Sequence, residues 1–154
     1  MARIGIADTC FARYDMGSLA TRTIKEAEPE HELVRYTVPG FKDLPVACKK
    51  LLEEEGCEIC LALGMAGSAP IDETCAHEAS QGLIQAQLLT NKHVIVAFVH
   101  EREATDEEDL KKLCEERTRK HALNVLALLK GREALQPLAG KGKRQGRPDA
   151  GPLP

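Results

Sequence analysis

The sequence predicts an α/β fold with a parallel sheet, because short apolar runs alternate strictly with stretches of helical periodicity. Four strand–helix units follow one another, and the apolar run of the third is continuous, which is typical of a central parallel strand. Connections between neighbouring parallel strands are right-handed as a rule, and the first two strand–helix units of this chain are short. We therefore expect a flavodoxin-like three-layer α/β/α sandwich whose four-stranded sheet has the order 2-1-3-4.

The first unit begins with an apolar strand at residues 3–7, which we expect to end at Asp8 and Thr9. A helix should follow and close at Pro29, because proline cannot continue a helix. Apolar residues at helical spacing define the buried side of this helix: Met16, Leu19, Ala20, Ile24 and Ala27.

The second unit has a strand at residues 33–38 and an amphipathic helix that stops at Gly56. Asp43 is the candidate N-cap of this helix, and Pro45 is tolerated in its first turn. The stripe of the helix has the spacing i, i+3, i+4, i+7, i+8 and consists of Leu44, Ala47, Cys48, Leu51 and Leu52.

The third unit contains the continuous strand at residues 59–63, a loop at 64–70 and a long helix at about 72–91. We expect the following residues of that helix to point inward: Ala76, Ala79, Leu83, Ile84 and Leu88.

The fourth unit begins with a strand at residues 94–99. Thr105 and Glu108 have the spacing of a capping box, which predicts the start of a helix that Gly131 ends. Its stripe, which Arg117 and His121 interrupt, consists of Leu110, Leu113, Ala122, Val125 and Leu129.

The 154 residues suffice for one domain with a sizeable core, which we place at residues 1–139 as a single α/β catalytic domain. Residues 140–154 form a basic tail rich in glycine and proline, which predicts a flexible or subunit-draping arm. The formal net charge of −3 argues against a nucleic-acid partner. With no apolar run near the roughly 20 residues of a membrane span and no signal peptide, we expect a cytoplasmic protein with no membrane partner.

Two of the six cysteines, Cys57 and Cys60, have the spacing C-x-x-C. This motif enters a strand, where positions three apart point to opposite faces. A redox or zinc site would require a helix start or a second pair of ligands. Buried thiols are therefore favoured, and no cluster in the chain has metal-ligand spacing.

Ligands of such sheets bind at the carboxyl ends of the strands. The second strand exit is the most unusual, since Pro39 fixes its φ and Gly40 permits a backbone conformation closed to other residues. An ordinary strand-to-helix turn is the alternative. The four predicted exits are residues 8–15, 39–43, 64–71 and 100–103.

Phenylalanines stand at three of these exits although aromatic residues are only 3% of the chain. Phe11, displaced beyond its strand, is the candidate for stacking on a flat ligand. Plain core packing is the alternative for Phe41 and Phe98. Lys42 and Asp43 are suited to hydrogen bonds with a polyol or the edge of a heterocycle.

His77 and His100 are the candidates for proton transfer near neutral pH. His100 lies at a strand exit, whereas His77 lies in the first turns of the third helix. A lone histidine is more often structural than catalytic, so a structural role is the alternative for both His77 and His100. His121, on a helix stripe, is expected to be a core group.

Several segments resemble the archaeal-type riboflavin synthases, which are related to the lumazine synthases. The resemblance covers nearly the whole chain and includes the closing residues 139–142 and 149–152. The segments that carry it are Thr9-Cys10-Phe11-Ala12-Arg13, Val38-Pro39-Gly40-Phe41-Lys42-Asp43-Leu44-Pro45-Val46-Ala47 and Cys75-Ala76-His77-Glu78-Ala79-Ser80-Gln81-Gly82-Leu83.

This resemblance implies a lumazine synthase-like fold and a homopentamer with active sites between neighbouring subunits. It also implies a transferase that dismutates two molecules of 6,7-dimethyl-8-ribityllumazine into riboflavin and 5-amino-6-(D-ribitylamino)uracil. Members of the family use no organic cofactor. A divalent cation such as Mg²⁺ assists in the family, although no ligand set identifies itself in this sequence.

The resemblance further implies roles for individual residues. Phe11 would stack on the lumazine ring, and Ala12 and Arg13 would belong to the same substrate site. Our own hypothesis, beside the resemblance, is that His77 or His100 assists proton transfer. Contacts to the ribityl chain and pyrimidine edge would come from Pro39, Gly40, Phe41, Lys42 and Asp43. The pocket would be lined by Gly64 and Met65, and by Phe98 and Val99 of the adjacent subunit.

Lumazine synthase itself is the close alternative, because it has a similar Val-Pro-Gly-aromatic stretch. It also carries a phosphate-loop threonine and a catalytic histidine, and the corresponding residues 67–71 here contain neither. Because riboflavin synthase needs no phosphate site, these departures favour riboflavin synthase. A non-catalytic flavin- or pterin-binding protein on the same fold is the third hypothesis.

Overall fold

The computed structural model describes all 154 residues and contains four strands and four long helices. None of the helices combines the length and the apolar character needed to cross a bilayer. The elements in chain order are β1 (Arg3–Thr9), α1 (Met16–Ala27), β2 (Glu32–Val38), α2 (Leu44–Glu53), β3 (Ile59–Ala66), α3 (Pro70–Thr90), β4 (Val94–His100) and α4 (Glu107–Leu129). Short 3-10 helices lie at Phe41–Asp43, Glu101–Glu103 and Gln136–Leu138.

The four strands form one parallel sheet in the order β2-β1-β3-β4, which confirms the predicted topology. Helices cover both faces. One core layer lies between the sheet and the pair α1 and α4, and the other lies between the sheet and the pair α2 and α3. The fold is therefore the three-layer flavodoxin-like sandwich that the alternating pattern predicts.

The central strand β3 is buried along its whole length, as its continuous apolar run predicts. Its side chains alternate between the two layers. Ile59, Leu61, Leu63 and Met65 belong to the α1/α4 layer. Cys60, Ala62 and Ala66 belong to the α2/α3 layer.

Three strands extend further at their carboxyl ends than the sequence predicts, and β2 begins one residue earlier, at Glu32. Residues 64–66, expected in a loop, continue β3 because Gly64, Met65 and Ala66 pair with β4. Likewise β1 continues through Asp8 and Thr9, and β4 includes His100. Tertiary pairing overrides the glycine at position 64, so the true exit of β3 is Gly67.

Both predicted N-caps need correction. Asp43 stands before α2, but its carboxylate accepts the Gly40 N–H at 3.3 Å and caps no N–H of α2. For α4 the capping pair is one residue later than Thr105 and Glu108. The Asp106 carboxylate accepts the Asp109 N–H at 2.8 Å, and the Asp109 carboxylate accepts the Thr105 N–H at 3.0 Å.

The inward face of α3 is narrower than predicted. Ala76, Ala79 and Leu83 are buried, and this face continues at Ala86. The predicted inward residues Ile84 and Leu88 are instead 53% and 77% exposed. The buried face follows the i, i+3, i+7, i+10 spacing, which leaves these two side chains turned away from the sheet.

All six cysteines are free, and the C-x-x-C pair is buried. Because β3 begins at Ile59, Cys57 lies outside the strand, and both thiols enter the α2/α3 layer rather than opposite faces. Burial raises the pKa of Cys57 to about 11. A hydrogen bond to Cys48, with burial, raises the pKa of Cys60 as well. Thiols held in the protonated form are poor nucleophiles and ligands.

Residues 142–151, here called the C-terminal loop, fold back on themselves. The Ala150 N–H donates to the Gly142 carbonyl at 2.9 Å, and the Asp149 carboxylate binds the Arg144 N–H and the Lys143 ammonium, each at 3.0 Å. Gly146 is buried against Leu113 and Arg117 at φ +99°, where a side chain would be strained and would collide. The loop therefore packs on α4 without regular secondary structure.

Candidate active site

The exits of β1 and β2 remain joined beyond their strands. The Cys10 N–H donates to the Val38 carbonyl at 2.8 Å, and the Phe11 N–H donates to the Pro39 carbonyl at 3.2 Å. These bonds hold the segment 10–13 beside the proline-glycine turn and leave the Phe11 side chain 48% exposed. An exposed ring next to a fixed backbone edge is suited to stacking on a flat heterocycle.

The buried carboxylate of Asp8 binds two side chains of β2 just before the proline-glycine turn. Asp8 is 5% exposed and accepts hydrogen bonds from Thr37 Oγ1 at 2.6 Å and from the Arg35 guanidinium at 2.5 Å. Arg35 also reaches Asp15, the N-cap of α1, at 2.7 Å. Neither Arg35 nor Thr37 was among the predicted site residues. The signal for this network is the spacing of Arg35 and Thr37, which places both on one face of β2 beside Asp8.

Phe41, Gly64 and Phe98 come together above the α2/α3 layer. Phe41 is 4% exposed, and its ring meets that of Phe98 edge to face, with centroids 4.7 Å apart. A Cβ on Gly64 would overlap Phe41 Cε1 and lie 3.0 Å from Cζ. The absence of a side chain at Gly64 thus lets the Phe41 ring lie directly on β3, where it packs as a core residue.

The rim of the second exit is exposed and polar. Lys42 Nζ lies 3.3 Å from Glu78 Oε2 on α3, and the Asp43 carboxylate holds the Gly40 N–H. Gly40 itself has φ −154° and ψ −175°, an extended backbone that any residue can adopt. The expectation of a glycine-only conformation is therefore wrong, although open space surrounds the position of its missing Cβ.

Met65 and Val99 lie on the opposite face of the sheet from Phe98. Both are buried in the α1/α4 layer, Val99 fully. Met65 also forms part of the wall of a cavity of about 430 Å³ between the segment 13–15 and the start of α4. Arg13 lines the same cavity and pairs with Glu101 and Glu107. The hydrogen bonds that Arg13 donates to Glu107 and Glu101 raise the Arg13 pKa.

The two histidines differ in their surroundings. His100 is half-buried at the end of β4. Its backbone N–H donates to the Glu103 carboxylate at 3.0 Å, and its ring Nδ1 lies 3.9 Å from the Glu73 carboxylate on α3. His77, one turn after Glu73, is exposed and forms no hydrogen bond within the chain. Only His100 is held in place, and sequence reasoning missed the acids Glu73 and Glu103 that surround it.

The third histidine, His121, lies on α4, is only half-buried and lines two cavities beside the C-terminal segment, so it is not the core group that the sequence predicts. It lies 3.4 Å from the Asn124 amide. Burial, helped by the charge of Arg117, lowers the pKa of His121 to about 4. The ring is therefore neutral at physiological pH.

The carboxylates at the carboxyl edge do not fit a divalent cation held by protein ligands alone. Glu101 is paired with Arg13, and Glu73 is paired with Arg102 at 2.7 Å. One group with close ligand atoms is Glu28, Glu30 and His31, at the amino end of β2. There the His31 Nδ1 accepts the Ala2 N–H, so Nε2 carries the proton that it shares with Glu28 and offers no lone pair to a metal.

The largest cavity, about 560 Å³, lies elsewhere, between α1 and the edge strand β2. None of the predicted site residues lines it. We place the site at the strand exits instead, because bound ligands of open parallel sheets lie there and because the candidate side chains converge there.

Comparison with known proteins identifies the family of the chain. Residues 1–133 match the model of the family described as 6,7-dimethyl-8-ribityllumazine synthase, and the chain belongs to that family. Within it, the chain is similar to proteins of archaea. It is 57% identical to a riboflavin synthase of Methanothermobacter marburgensis over 99% of this chain and 100% of the relative. It is also 48% identical to a riboflavin synthase of Archaeoglobus fulgidus over 98% of each. These likenesses identify it as an archaeal-type member.

Two further comparisons are weaker. A 6,7-dimethyl-8-ribityllumazine synthase of Thermus thermophilus is 33% identical over 81 residues, which is 51% of each chain. A solved structure, the molybdopterin biosynthesis enzyme MoaB of Thermus thermophilus, covers 91% of this chain with a TM-score of 0.44 and 19% identity. The assignment of the fold rests on the strand order rather than on that structure.

Proposed function

We propose that the protein is a riboflavin synthase, a transferase that converts two molecules of 6,7-dimethyl-8-ribityllumazine into riboflavin and 5-amino-6-(D-ribitylamino)uracil. One lumazine gives a four-carbon unit to the other, so atoms balance without a further reactant. The observation that carries the proposal is the 57% identity to a riboflavin synthase over the whole chain. The lumazine synthase similarity is lower and spans half of it.

The surroundings of Gly67 also favour this reaction over lumazine synthesis. A lumazine synthase must bind a four-carbon phosphate, and the loop after β3 is the predicted place for it. Here the Asp72 carboxylate lies against Gly67, and a Cβ on Gly67 would be 3.2 Å from Glu101 Oε2. Because Arg13 neutralises Glu101, the unpaired carboxylate of Asp72 is the group beside this loop that would repel a phosphate. A neutral lumazine meets no such repulsion.

In this proposal the residues orient two substrates and move one proton. Phe11 stacks on a lumazine ring, and the rim formed by Lys42 and Asp43 binds the ribityl chain or pyrimidine edge. Holding two lumazines together removes the entropic cost of their encounter from the chemical step. His100 takes a proton from the acidic C7 methyl group, since its backbone is fixed by Glu103 and its ring is near Glu73.

The proposal includes a homo-oligomer, a pentamer with sites between subunits. Ile84 and Leu88, spaced i, i+4 on α3, form an exposed apolar stripe that one subunit leaves uncovered. A second copy of the chain is the occupant that the family resemblance implies.

The proposal includes no organic cofactor, because the substrate serves as both donor and acceptor. No step is assigned to a protein-held cation, since Glu101 and Glu73 are engaged by Arg13 and Arg102 and a single further carboxylate, Asp72, is not a ligand set. Turnover is expected to be the same after EDTA treatment with and without added Mg²⁺. A requirement for Mg²⁺ would mean that the cation arrives with the substrate or is held by two subunits together.

The direct test is incubation of the purified protein with 6,7-dimethyl-8-ribityllumazine alone, followed by absorbance and fluorescence of riboflavin. Riboflavin and the pyrimidine are expected in a one-to-one ratio. Tight binding without product would identify a flavin- or pterin-binding protein. Lumazine formation from the pyrimidine and a four-carbon phosphate, without riboflavin, would identify a lumazine synthase.

A further inference from the structure

The exit of β4 is held by a single carboxylate that receives several donors. Glu103 accepts the His100 N–H at 3.0 Å and both terminal nitrogens of Arg117, at 2.7 and 3.0 Å. Burial opposes ionisation of Glu103, but the hydrogen bonds from Arg117 and from the His100 N–H prevail and lower its pKa. The turn from His100 to Glu103 is therefore fixed as a charged, hydrogen-bonded unit at neutral pH.

This turn carries contacts to two other parts of the candidate site. Glu101 pairs with Arg13 from the exit of β1, and Arg102 pairs with Glu73 on α3 at 2.7 Å. A small displacement of the turn would move His100 and would also release Arg13 and Glu73. Groups that act together in catalysis require placement to within about 0.5 Å.

The C-terminal loop lies directly behind this turn and is bound to it by two arginines. Arg117 donates to the Phe98 carbonyl at 3.1 Å and, through Nε, to the Gln145 carbonyl of the loop at 2.9 Å. Arg147 of the loop donates to the Glu103 carbonyl at 2.6 Å. Its two terminal nitrogens also bind the Asp109 carboxylate at 3.0 and 3.1 Å, and this pairing lowers the Asp109 pKa to about 2.

We propose that the C-terminal loop positions the exit of β4 for the reaction, and that Arg147 is the positioning residue through which it acts. This inference rests on the proposed riboflavin synthase function. Arg147 is suited to this role because it joins the turn at Glu103 to the first turn of α4 at Asp109. A bidentate guanidinium fixes both ends of that bridge, which a single ammonium cannot do.

The test compares Arg147→Ala with Lys143→Ala in the full-length protein. Lys143 is a matched control, because it is a cation of the same loop whose partner, Asp149, also belongs to the loop. Arg147→Ala is expected to lower kcat for riboflavin formation at least about tenfold at saturating lumazine. It should also speed amide hydrogen exchange at residues 100–104. Lys143→Ala should change neither, and Arg147→Lys should restore part of kcat.

Two outcomes would overturn the inference. The first is an Arg147→Ala variant that turns over like the Lys143→Ala control. The second is a loss of activity that accompanies a change of assembly in sedimentation, since the loop would then act on a subunit contact. Wild-type protein that makes no riboflavin refutes the proposed function instead, and the exchange at residues 100–104 still reports whether Arg147 fixes the turn.

Discussion

At the scale of single residues, the close contact between Gly64 and the Phe41 ring determines how near the segment after β2 packs to β3. Replacing Gly64 by Ala adds a methyl group where Phe41 Cε1 already lies. The variant should lose about 1–3 kcal/mol of unfolding free energy, as overpacked cores do. Urea unfolding measures this loss.

Gly40→Ala is the matched control for that experiment. Its backbone is extended at φ −154°, and nothing lies within 4 Å of an added Cβ. Its unfolding free energy should stay within about 0.5 kcal/mol of the wild-type value. Equal destabilisation by the two substitutions would contradict the close contact between β3 and the Phe41 ring.

The two candidate histidines lead to unequal expectations. His100→Gln should lower kcat roughly 100-fold or more, the usual cost of removing a general acid–base group. His77→Gln should leave kcat within a few-fold, because that ring is exposed and has no partner to orient it. Steady-state kinetics of both variants measure the difference. If both turn over at the wild-type rate, the proton is taken by substrate or water.

At the scale of elements, α3 has one face in the core and an apolar stripe on the other side. Leu88→Lys replaces a side chain that is 77% exposed in one subunit by another good helix former. If that stripe is covered by a second copy, a buried charge should dissociate the assembly and lower activity with it. Sedimentation velocity at a fixed concentration measures the change.

Leu123→Lys on α4 is the control for this element. Leu123 is also exposed, at 47%, but it does not belong to the α3 stripe. The control should keep the wild-type sedimentation coefficient. A Leu88→Lys protein that sediments like the wild type would remove α3 from the proposed subunit contact.

At the scale of the whole molecule, stability should depend on pH through His121. Its folded-state pKa of about 4 lies below the ordinary value of 6.5, so the unfolded chain binds more protons between these values. The contribution is complete above pH 6.5 and is lost as pH falls toward 4. From pH 7.5 to pH 5 the loss should approach about 2 kcal/mol.

The measurement is urea unfolding at both pH values and one protein concentration, for wild type and His121→Gln. Acidic groups titrate in both proteins, so the difference between their changes in unfolding free energy from pH 7.5 to pH 5 isolates the contribution of His121. A His121→Gln variant with the same pH dependence as the wild type would contradict the burial of a neutral imidazole at this position.

The sequence predicts the elements of this fold well because burial patterns are local. The stripe from Leu44 to Leu52 and the continuous run of β3 match buried surfaces in the structure. The prediction that failed at the end of β3 depends on a distant partner. Gly64 joins the strand because β4 pairs with it, and nothing near Gly64 in sequence signals that pairing. The Asp43 carboxylate accepts the N–H of Gly40, three residues earlier, so the failed cap reflects competition between two local contacts.

The candidate site likewise has features that the sequence predicts and features that only the tertiary structure shows. The sequence by itself determined the fold class, the strand order and the family resemblance, because these depend on periodicity, on chirality and on motifs within short segments. Only the tertiary structure decided that Phe41 is a core ring, that Arg117 binds Glu103 beside His100, and that the C-terminal loop reaches the turn after β4. Those contacts join residues from different parts of the chain, and they exist only once the sheet has brought its strand exits to one edge.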